Sequence, residues 1–438
     1  MSSIATTPPS GFRDFLPDAC ALRTRVTETI SRVYRSYGFS PIATPAVEDL
    51  AVLMGKGGGE NEKLIFKILK RGEKLEAALG CAELADMGLR FDLTLPLARF
   101  YGRHRGILST PFKAFHIGPV WRAERAQKGR YREFYQCDAD ILGSESPHCE
   151  IEVIQAVMSA FRALGLDGPA VLLNDRRILF ALLDHWQVPA EKRGEICIAI
   201  DKLDKLDKDA VAAEISGLLG GNVPADLLRC VQAGQVEPEL LTRVAPDPMS
   251  RLETIKNALT GLLDGYGPVS ISPTLVRGFD YYTGPVFEFR DPRLAGSLGG
   301  GGRYDGLTEK FGGQKTPACG VSIGFERLML VLEESQGQKP SGPDACLTVF
   351  SDELRLQTLR LAARLRGQGL AVDVYPGTGK LKAQFKYADS RGARFALVLG
   401  PDEAAMAKVK AKNLASGEES LVGFDELAAL LGGGRQSS

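Results

Sequence analysis

Apolar residues first recur at helical intervals, at Leu22, Val26, Ile30, Val33 and Tyr37, behind an Asp18 whose carboxylate suits an N-cap. This spacing predicts a helix from Asp18 to about Tyr37, stopped by Gly38. FSPIATPAVE follows as a short extended segment in which Pro45, lacking an N–H, suits a sheet edge or an interface. KGGGENE (56–62) reads as a flexible loop, and Leu64 to Leu69 as a strand ended by Arg71 and Gly72. RFDLTLPLARFY (90–101) reads as extended, which puts Asp92 and Thr94 on one side. Phe112 to Ile117 predicts a strand, and Trp121 to Gly143 a hairpin turning at Gly129. A helix is expected from about Pro147 to Leu164.

From Gly165 to about Pro268 helix formers and charges dominate, so this region reads as a mostly helical insertion, with DKLDKLDKDAVAAEISGLL as an amphipathic helix. Strand signals return over Thr274 to Phe289, pass through SLGGGGRYDGL, and end in a helix from about Gly324. A linker rich in Gly, Pro and Ser follows. Beyond it ACLTVF, a helix from about Leu354 to Arg366, LAVDVYP, a basic helix around Lys380 to Arg391, and RFALVLG alternate as a small α/β domain.

Composition narrows the function classes. Lys+Arg at 54 equals Asp+Glu at 54, so a polyanion has to be held by local patches and not by a global field. The cysteines are scattered, with no C-x-x-C pair; His148 beside Cys149 has no second pair near it, and no structural metal is expected. MSSIATTPPSGF has neither a basic leader nor an apolar core, and no apolar run is long enough to cross a bilayer. A cytoplasmic protein, neither exported nor embedded, is the expectation.

Candidate chemistry concentrates in WRAERAQKGRYREFYQCDADILG, where Arg122, Arg125, Lys128, Arg130 and Arg132 crowd a hairpin and Phe134 and Tyr135 add flat faces. Guanidinium forks match phosphate oxygens, so adjacent arginines make a fixed anion clamp. Alone, the stretch is better read as a solvated charged hairpin; it does not stand alone. LVRGFDYYTG supplies Arg277, Asp280, Tyr281 and Tyr282; set beside Asp92, Gln136 and Asp140 they would line a site for a small, polar, nitrogen-bearing ligand, the plainer alternative being a core strand. Arg327 adds a third anchor for a polyphosphate, or else snorkels over Leu328 and Met329. GTGKLK is no Walker loop, because Val374 stands where its first glycine belongs and Leu381 where its hydroxyl belongs. Gly299 to Gly302 lack a βαβ frame, and more plausibly let backbone approach a ligand.

In order, GFRDFLP, YGFSPIATPAVE, RFDLTLPLARF, the arginine segment, LVRGFDYYTG, GGGRYDGL, GVSIGFERL and KLKAQFKYADSRGARFALVLG make the chain resemble the histidyl-tRNA synthetases of class II, from about Gly11 to Leu431. The resemblance implies an α+β fold: an antiparallel sheet flanked by helices, a mostly helical insertion, and a C-terminal α/β anticodon-binding domain. Residues 1–164 and 269–335 would form the catalytic domain, 165–268 the insertion, 336–344 a linker, 345–432 the anticodon-binding domain and 433–438 a disordered tail.

It further implies ATP and Mg2+, with Arg122 and Glu124 at the α-phosphate and adenine, Arg130 at outer phosphates, Phe134 stacked on adenine and Arg327 at the γ-phosphate. L-histidine would meet Asp92, Leu93, Thr94, Gln136, Asp140, Tyr281 and Tyr282, and Arg122, Arg277 and Arg327 would be catalytic. For tRNA(His), Gln127 and Lys128 are candidates at the acceptor end, and Lys380, Lys382, Lys386 and Arg391 on the basic helix. The insertion would lean on the acceptor stem. A homodimer is implied, with the Pro45 segment at its interface. Two rivals are a non-catalytic regulatory subunit of histidine biosynthesis, which generally lacks the anticodon domain and active-site arginines, and a tRNA-binding sensor that charges nothing. This chain keeps Arg122, Arg130, Arg277, Arg327 and the C-terminal module.

Overall fold

The structure is a computed structural model, and it describes residues 6–54, 60–80, 83–126, 129–204, 206–221, 223–233, 236–277, 282–294, 296–311, 314–336 and 342–433. The chain divides into a large unit, Met1–Phe15 with Leu22–Gly337, and a small one, Gln338–Ser438 with Leu16–Ala21. The flexible-loop residues 56–59, Gln127, Lys128, Asp280, Tyr281, most of the linker and the tail from 434 lie outside the described residues.

An eight-stranded sheet organises the large unit. Its spatial order is Ser40–Pro41, Phe112–Trp121, Glu133–Leu142, Ala318–Gly324, Ser297–Arg303, Pro285–Arg290, Ala170–Asp175, Val269–Ile271. Only the two outermost pairings are parallel; the five between them are antiparallel. Strand alternation separates two chemistries on Glu133–Leu142: Cys137, Ala139 and Ile141 enter the main core, while Gln136, Asp138 and Asp140 face the other way. Against the apolar face pack Val26, Ile30 and Tyr34 of the helix Pro17–Ser36, the helix His148–Ala163, and Leu252, Ile255 and Leu259 of the helix Pro246–Leu263. The opposite face carries those polar residues beside a second, smaller apolar cluster that includes Phe112, Ala114 and Leu142.

Several elements differ from the reading of the sequence. Asp92 and Thr94 do not lie on an extended segment, for Thr94–His104 is a helix. Asp92 Oδ1 accepts the N–H of Leu95 at 3.2 Å, and Pro96 sits in the first turn, where its missing N–H is not needed. The arginines 122, 125, 130 and 132 lie past the continuous ladder, which ends at Trp121 opposite Glu133, but the hairpin goes on: the Arg122 N–H donates to the Arg132 carbonyl at 2.8 Å, and the chain turns at Gly129, φ 77°.

Within 165–268 the stretch Ala170–Asp175 is a strand of the main sheet, so helices begin at Arg176. DKLDKLDKD breaks after a 3-10 turn, Asp201–Asp204, and Asp207 caps a separate helix, Lys208–Leu218, by accepting the N–H of Asp209 at 2.9 Å. The glycine-rich SLGGGGR is a fully buried strand. A Cβ on Gly301 would lie 1.9 Å from the carbonyl oxygen of Gly320, so absent side chains there permit close strand approach.

In the small unit Val372–Val374, Ala345–Leu347, Phe395–Val398, Lys408–Asn413 and Glu419–Gly423 make a five-stranded sheet. The first three are parallel and the last two add an antiparallel hairpin that the periodicity left unread. Among the described residues no helix is long and apolar enough to cross a membrane.

Candidate active site

On the polar face of the large sheet opens a cavity of about 1290 Å³. The strand Glu133–Leu142 contributes Phe134, Gln136, Asp138 and Asp140 from alternate positions. The start of the helix Thr94–His104 brings Asp92 and Thr94, the arginine loop brings Arg122, Glu124, Arg125 and Arg130, and the neighbouring segments bring Arg277, Tyr282, Glu288, Arg290, Tyr304, Ser322 and Arg327. Residues far apart in sequence thus share one hollow.

One group of lining residues is acidic. Asp140 is buried against Tyr304, whose hydroxyl donates to Asp140 Oδ1 at 2.5 Å. Burial pushes the Asp140 carboxyl up to about 7, against the pull of that hydrogen bond and with the help of Asp92. Asp92 is raised by burial to about 6, with Leu95 N–H and Arg122 opposing. Asp138 is raised well above the carboxylate range by burial and by Asp140. Three carboxylic groups that would rather be neutral are a trap for a cationic or N–H-bearing ligand, because such a ligand supplies what the protein withholds.

Asp140 reaches this position only because its cross-strand partner is glycine: a Cβ on Gly320 would sit 1.7 Å from Asp140 Oδ1. Gln136 donates through Nε2 to Ser322 Oγ at 2.8 Å, and its Oε1 and Asp138 Oδ1 are buried with no partner. Unpaired buried acceptors beside a cavity invite ligand donors. Behind Asp138 the cross-strand His116 is kept neutral, its imidazolium pushed down to about 4 by burial and by Arg90.

The other group is cationic. Arg327 is lowered by burial and then by Arg130 and Arg277, with Arg122 adding further, so four guanidinium groups sense one another. Arg327 Nη1 donates to the carbonyl of Ser297 at 2.8 Å. Arg277 Nη1 binds Glu288 Oε2 at 2.8 Å over Gly300, where a Cβ would meet the guanidinium at 2.8 Å. Arg122 donates to the carbonyl of Phe91 at 3.1 Å, its guanidinium 5.0 Å from the Phe134 ring. Arg130 pairs with Glu124 at 3.4 Å in an exposed, weak contact. Mutually repelling arginines gain most from a multivalent anion, and Arg122, which also lowers Asp92 and Asp138, lies between the two groups.

Of the residues predicted from the sequence, Asp92, Thr94, Arg122, Glu124, Arg130, Phe134, Gln136, Asp140, Arg277, Tyr282 and Arg327 line this cavity. Leu93 does not: it is buried in the hydrophobic interior. Tyr281, Gln127 and Lys128 lie outside the described residues. Lys380, Lys382, Lys386 and Arg391 belong to the small unit, exposed on or beside the helix Leu381–Ser390, and Arg391 is partly neutralised by Asp373 at 3.3 Å. Asp138, Glu288, Tyr304 and Ser322 were missed. Asp138 was legible, standing at the alternate position between Gln136 and Asp140; the others depend on strand neighbours that no local pattern reveals.

Residues 11–328 match the family model described as Histidyl-tRNA synthetase, and residues 344–432 the one described as Anticodon binding domain. A histidine-tRNA ligase of Leifsonia xyli subsp. xyli is 40% identical over 421 residues, 92% of this chain and 97% of that one. One of Cytophaga hutchinsonii is 36% identical over 445 residues, 96% and 98% of the two chains. The crystal structure of histidyl-tRNA synthetase from Nostoc sp. PCC 7120 has the same fold at a TM-score of 0.85 and 30% identity, covering 98% of this chain and 99% of that chain.

Proposed function

The chain belongs to the histidyl-tRNA synthetase family, and from that premise we propose how its residues act as a histidine-tRNA ligase. The observation that carries the reading is the single cavity in which buried carboxyls adjoin a cluster of arginines, with Arg122 between them. An amino acid and a nucleoside triphosphate have complementary charges, and their reacting atoms meet where the two groups meet.

Histidine lies on the acidic side. Asp140 accepts an imidazole N–H, Asp92, Thr94 and Gln136 take the α-ammonium side, and Tyr281 and Tyr282 take part in histidine recognition. A site whose buried polar groups are paired only by the right substrate rejects apolar amino acids strongly. ATP lies on the arginine side, its adenine against Phe134 and Glu124, its outer phosphates against Arg130 and Arg327.

The histidine carboxylate attacks the α-phosphorus, the bond to the bridging oxygen breaks, and pyrophosphate leaves with that electron pair. Arg122 and Arg277 hold the charge that grows on the α-phosphate oxygens, and catalysis is chiefly alignment and preorganised charge. No protein nucleophile and no general base are needed, since the attacking carboxylate is already ionised. Mg2+ accompanies ATP as part of the substrate: it is typically held by phosphates with one or two carboxylates, and Glu124 and Glu288, each paired with one of the cavity arginines, would be the candidates.

The ribose hydroxyl at the 3′ end of tRNA(His) then attacks the mixed anhydride, releasing AMP. Lys380, Lys382 and Lys386 meet tRNA phosphates on the small unit, Gln127 and Lys128 meet the acceptor end, and the helical insertion leans on the acceptor stem. Two copies of the chain work as a cytoplasmic homodimer. The retained arginine cluster favours this reading over a regulatory, non-catalytic role. Transfer of labelled histidine to tRNA in the presence of ATP tests it; acid-precipitable label dependent on both histidine-accepting tRNA and ATP is expected, and none would overturn it.

A further inference from the structure

Between Val269–Ile271 and Pro285–Arg290 the chain carries Arg277 and Tyr282, on the described stretches 272–277 and 282–284. It leaves Val269–Ile271, parallel to Ala170–Asp175 on one side, and enters Pro285–Arg290, antiparallel to that same strand on the other. The tip of Ala170–Asp175 bonds to both described stretches, and the residues there are not apolar. Asn174, 1% exposed, donates through Nδ2 to the carbonyls of Pro273 at 3.1 Å and Leu275 at 2.9 Å. Two residues on, Arg176 donates through Nη1 to the carbonyl of Tyr282 at 2.9 Å and through its backbone N–H to the carbonyl of Gly284 at 3.1 Å.

Asp175 between them fixes the turn. It caps the helix Arg176–His185 by accepting the N–H of Arg177 at 2.9 Å, and grips the Arg177 guanidinium at 2.6 Å. Arg176 is thus held as the first residue of the helical region, with its backbone fixed by the capped helix end. The stretch 273–275 is held by a neutral amide and the stretch 282–284 by a charged fork.

Nothing in this elbow touches the cavity floor, yet it sets where two lining residues stand. Leu275, Arg277 and Tyr282 all line the cavity. We infer that Asn174 and Arg176 are positioning residues for amino-acid activation: they hold the stretches that carry Arg277 and Tyr282 and tie them to the seating of the first inserted helix. This rests on the ligase reading above. Hydrogen bonds from a charged donor to buried carbonyls are the stronger kind, and a displacement of about 1 Å at a reacting group costs about a hundredfold in rate.

The test is histidine-dependent pyrophosphate exchange by the full chain, run beside equilibrium ATP binding without histidine and thermal unfolding. Arg176→Ala is expected to lower kcat/KM for histidine by about ten- to a hundredfold, through both terms, while the ATP dissociation constant stays within about twofold. Arg176→Lys, which keeps a charged donor, recovers part of the loss; Asn174→Ala raises KM for histidine. If Arg176→Ala does not fold, Arg176→Gln and Arg176→Lys carry the test, and the order wild type, Lys, Gln in kcat/KM is required. A folded Arg176→Ala or Arg176→Gln with wild-type kcat and KM overturns the inference. So does a loss confined to thermal stability. Wild-type protein showing no histidine-dependent exchange would overturn the ligase reading instead.

Discussion

Tyr304→Phe isolates one hydrogen bond and leaves the ring packing in place. The Tyr304 hydroxyl donates to Asp140 Oδ1 at 2.5 Å in a site where both residues are buried, and it opposes the burial that raises Asp140 to about 7. A hydrogen bond to a charged group contributes about 1.5–3 kcal/mol, which at about 1.4 kcal/mol per unit is about one to two pKa units. Asp140 in the variant then titrates at about 8 to 9. At pH 7 the ionised fraction falls from about one half to between about a tenth and a hundredth, so kcat/KM for histidine drops by about 5- to 50-fold. Near pH 9 the two enzymes differ by no more than about twofold. Pyrophosphate exchange measured from pH 6 to 9.5 reads this directly. The acid limb of the variant moves to higher pH; a uniform loss at every pH would show that Tyr304 acts by packing, and an unchanged profile would remove Asp140 ionisation from histidine recognition.

Asp140→Asn abolishes histidine activation yet stabilises the ligand-free fold at alkaline pH. The folded-state carboxyl is raised above its ordinary 3.8 to about 7, so the wild type loses stability as pH rises between those values, by up to about 4 kcal/mol; calorimetry should find the variant melting higher at pH 8 and level at pH 4. Glu326→Gln breaks a buried cluster in which Arg13 at 2.6 Å and Arg23 at 2.7 Å flank the carboxylate. Burial alone would raise Glu326, but Arg23 and Arg13 hold it below its ordinary value, so its contribution is present at neutral pH and lost as pH falls through the depressed pKa; urea unfolding at pH 7 should show a loss of about 3–5 kcal/mol. Alanine at Lys380, Lys382 and Lys386 together should weaken tRNA binding broadly and flatten its salt dependence by about 0.7–0.9 for each phosphate no longer neutralised, with histidine-dependent exchange untouched; an unaltered salt slope places tRNA elsewhere.

Strong periodicity made the scaffold legible. The helix at Leu22–Tyr37, the strand Glu133–Leu142 and the helix starting near Gly324 were all readable from apolar spacing and stop signals. Asp92 and Thr94 were the instructive failure: alternation of apolar and polar residues over RFDLTL imitates a strand, whereas Asp92 capping ahead of Pro96 begins a helix. The arginines were recognisable as an anion clamp from side-chain chemistry alone, and the hairpin that carries them continues past Trp121 and Glu133 through the Arg122 N–H to the Arg132 carbonyl. Tyr304, Glu288 and Ser322 join the cavity through neighbours in the sheet, and sheet order is a long-range property that local sequence does not encode. For the same reason Ala170–Asp175 was absorbed into a helical region, although its Val171 and Leu173 bury themselves in the main core.

Substrate choice is the central claim of the proposal, in which the buried Asp140 carboxyl and the Gln136 amide beside the cavity take an amino acid with an imidazole N–H. The direct measurement is ATP–pyrophosphate exchange with each amino acid supplied singly to the purified chain. Exchange with histidine alone, lost in Arg277→Ala while ATP binding persists, is the predicted result. Exchange with another amino acid in place of histidine, or undiminished exchange in Arg277→Ala, would contradict it.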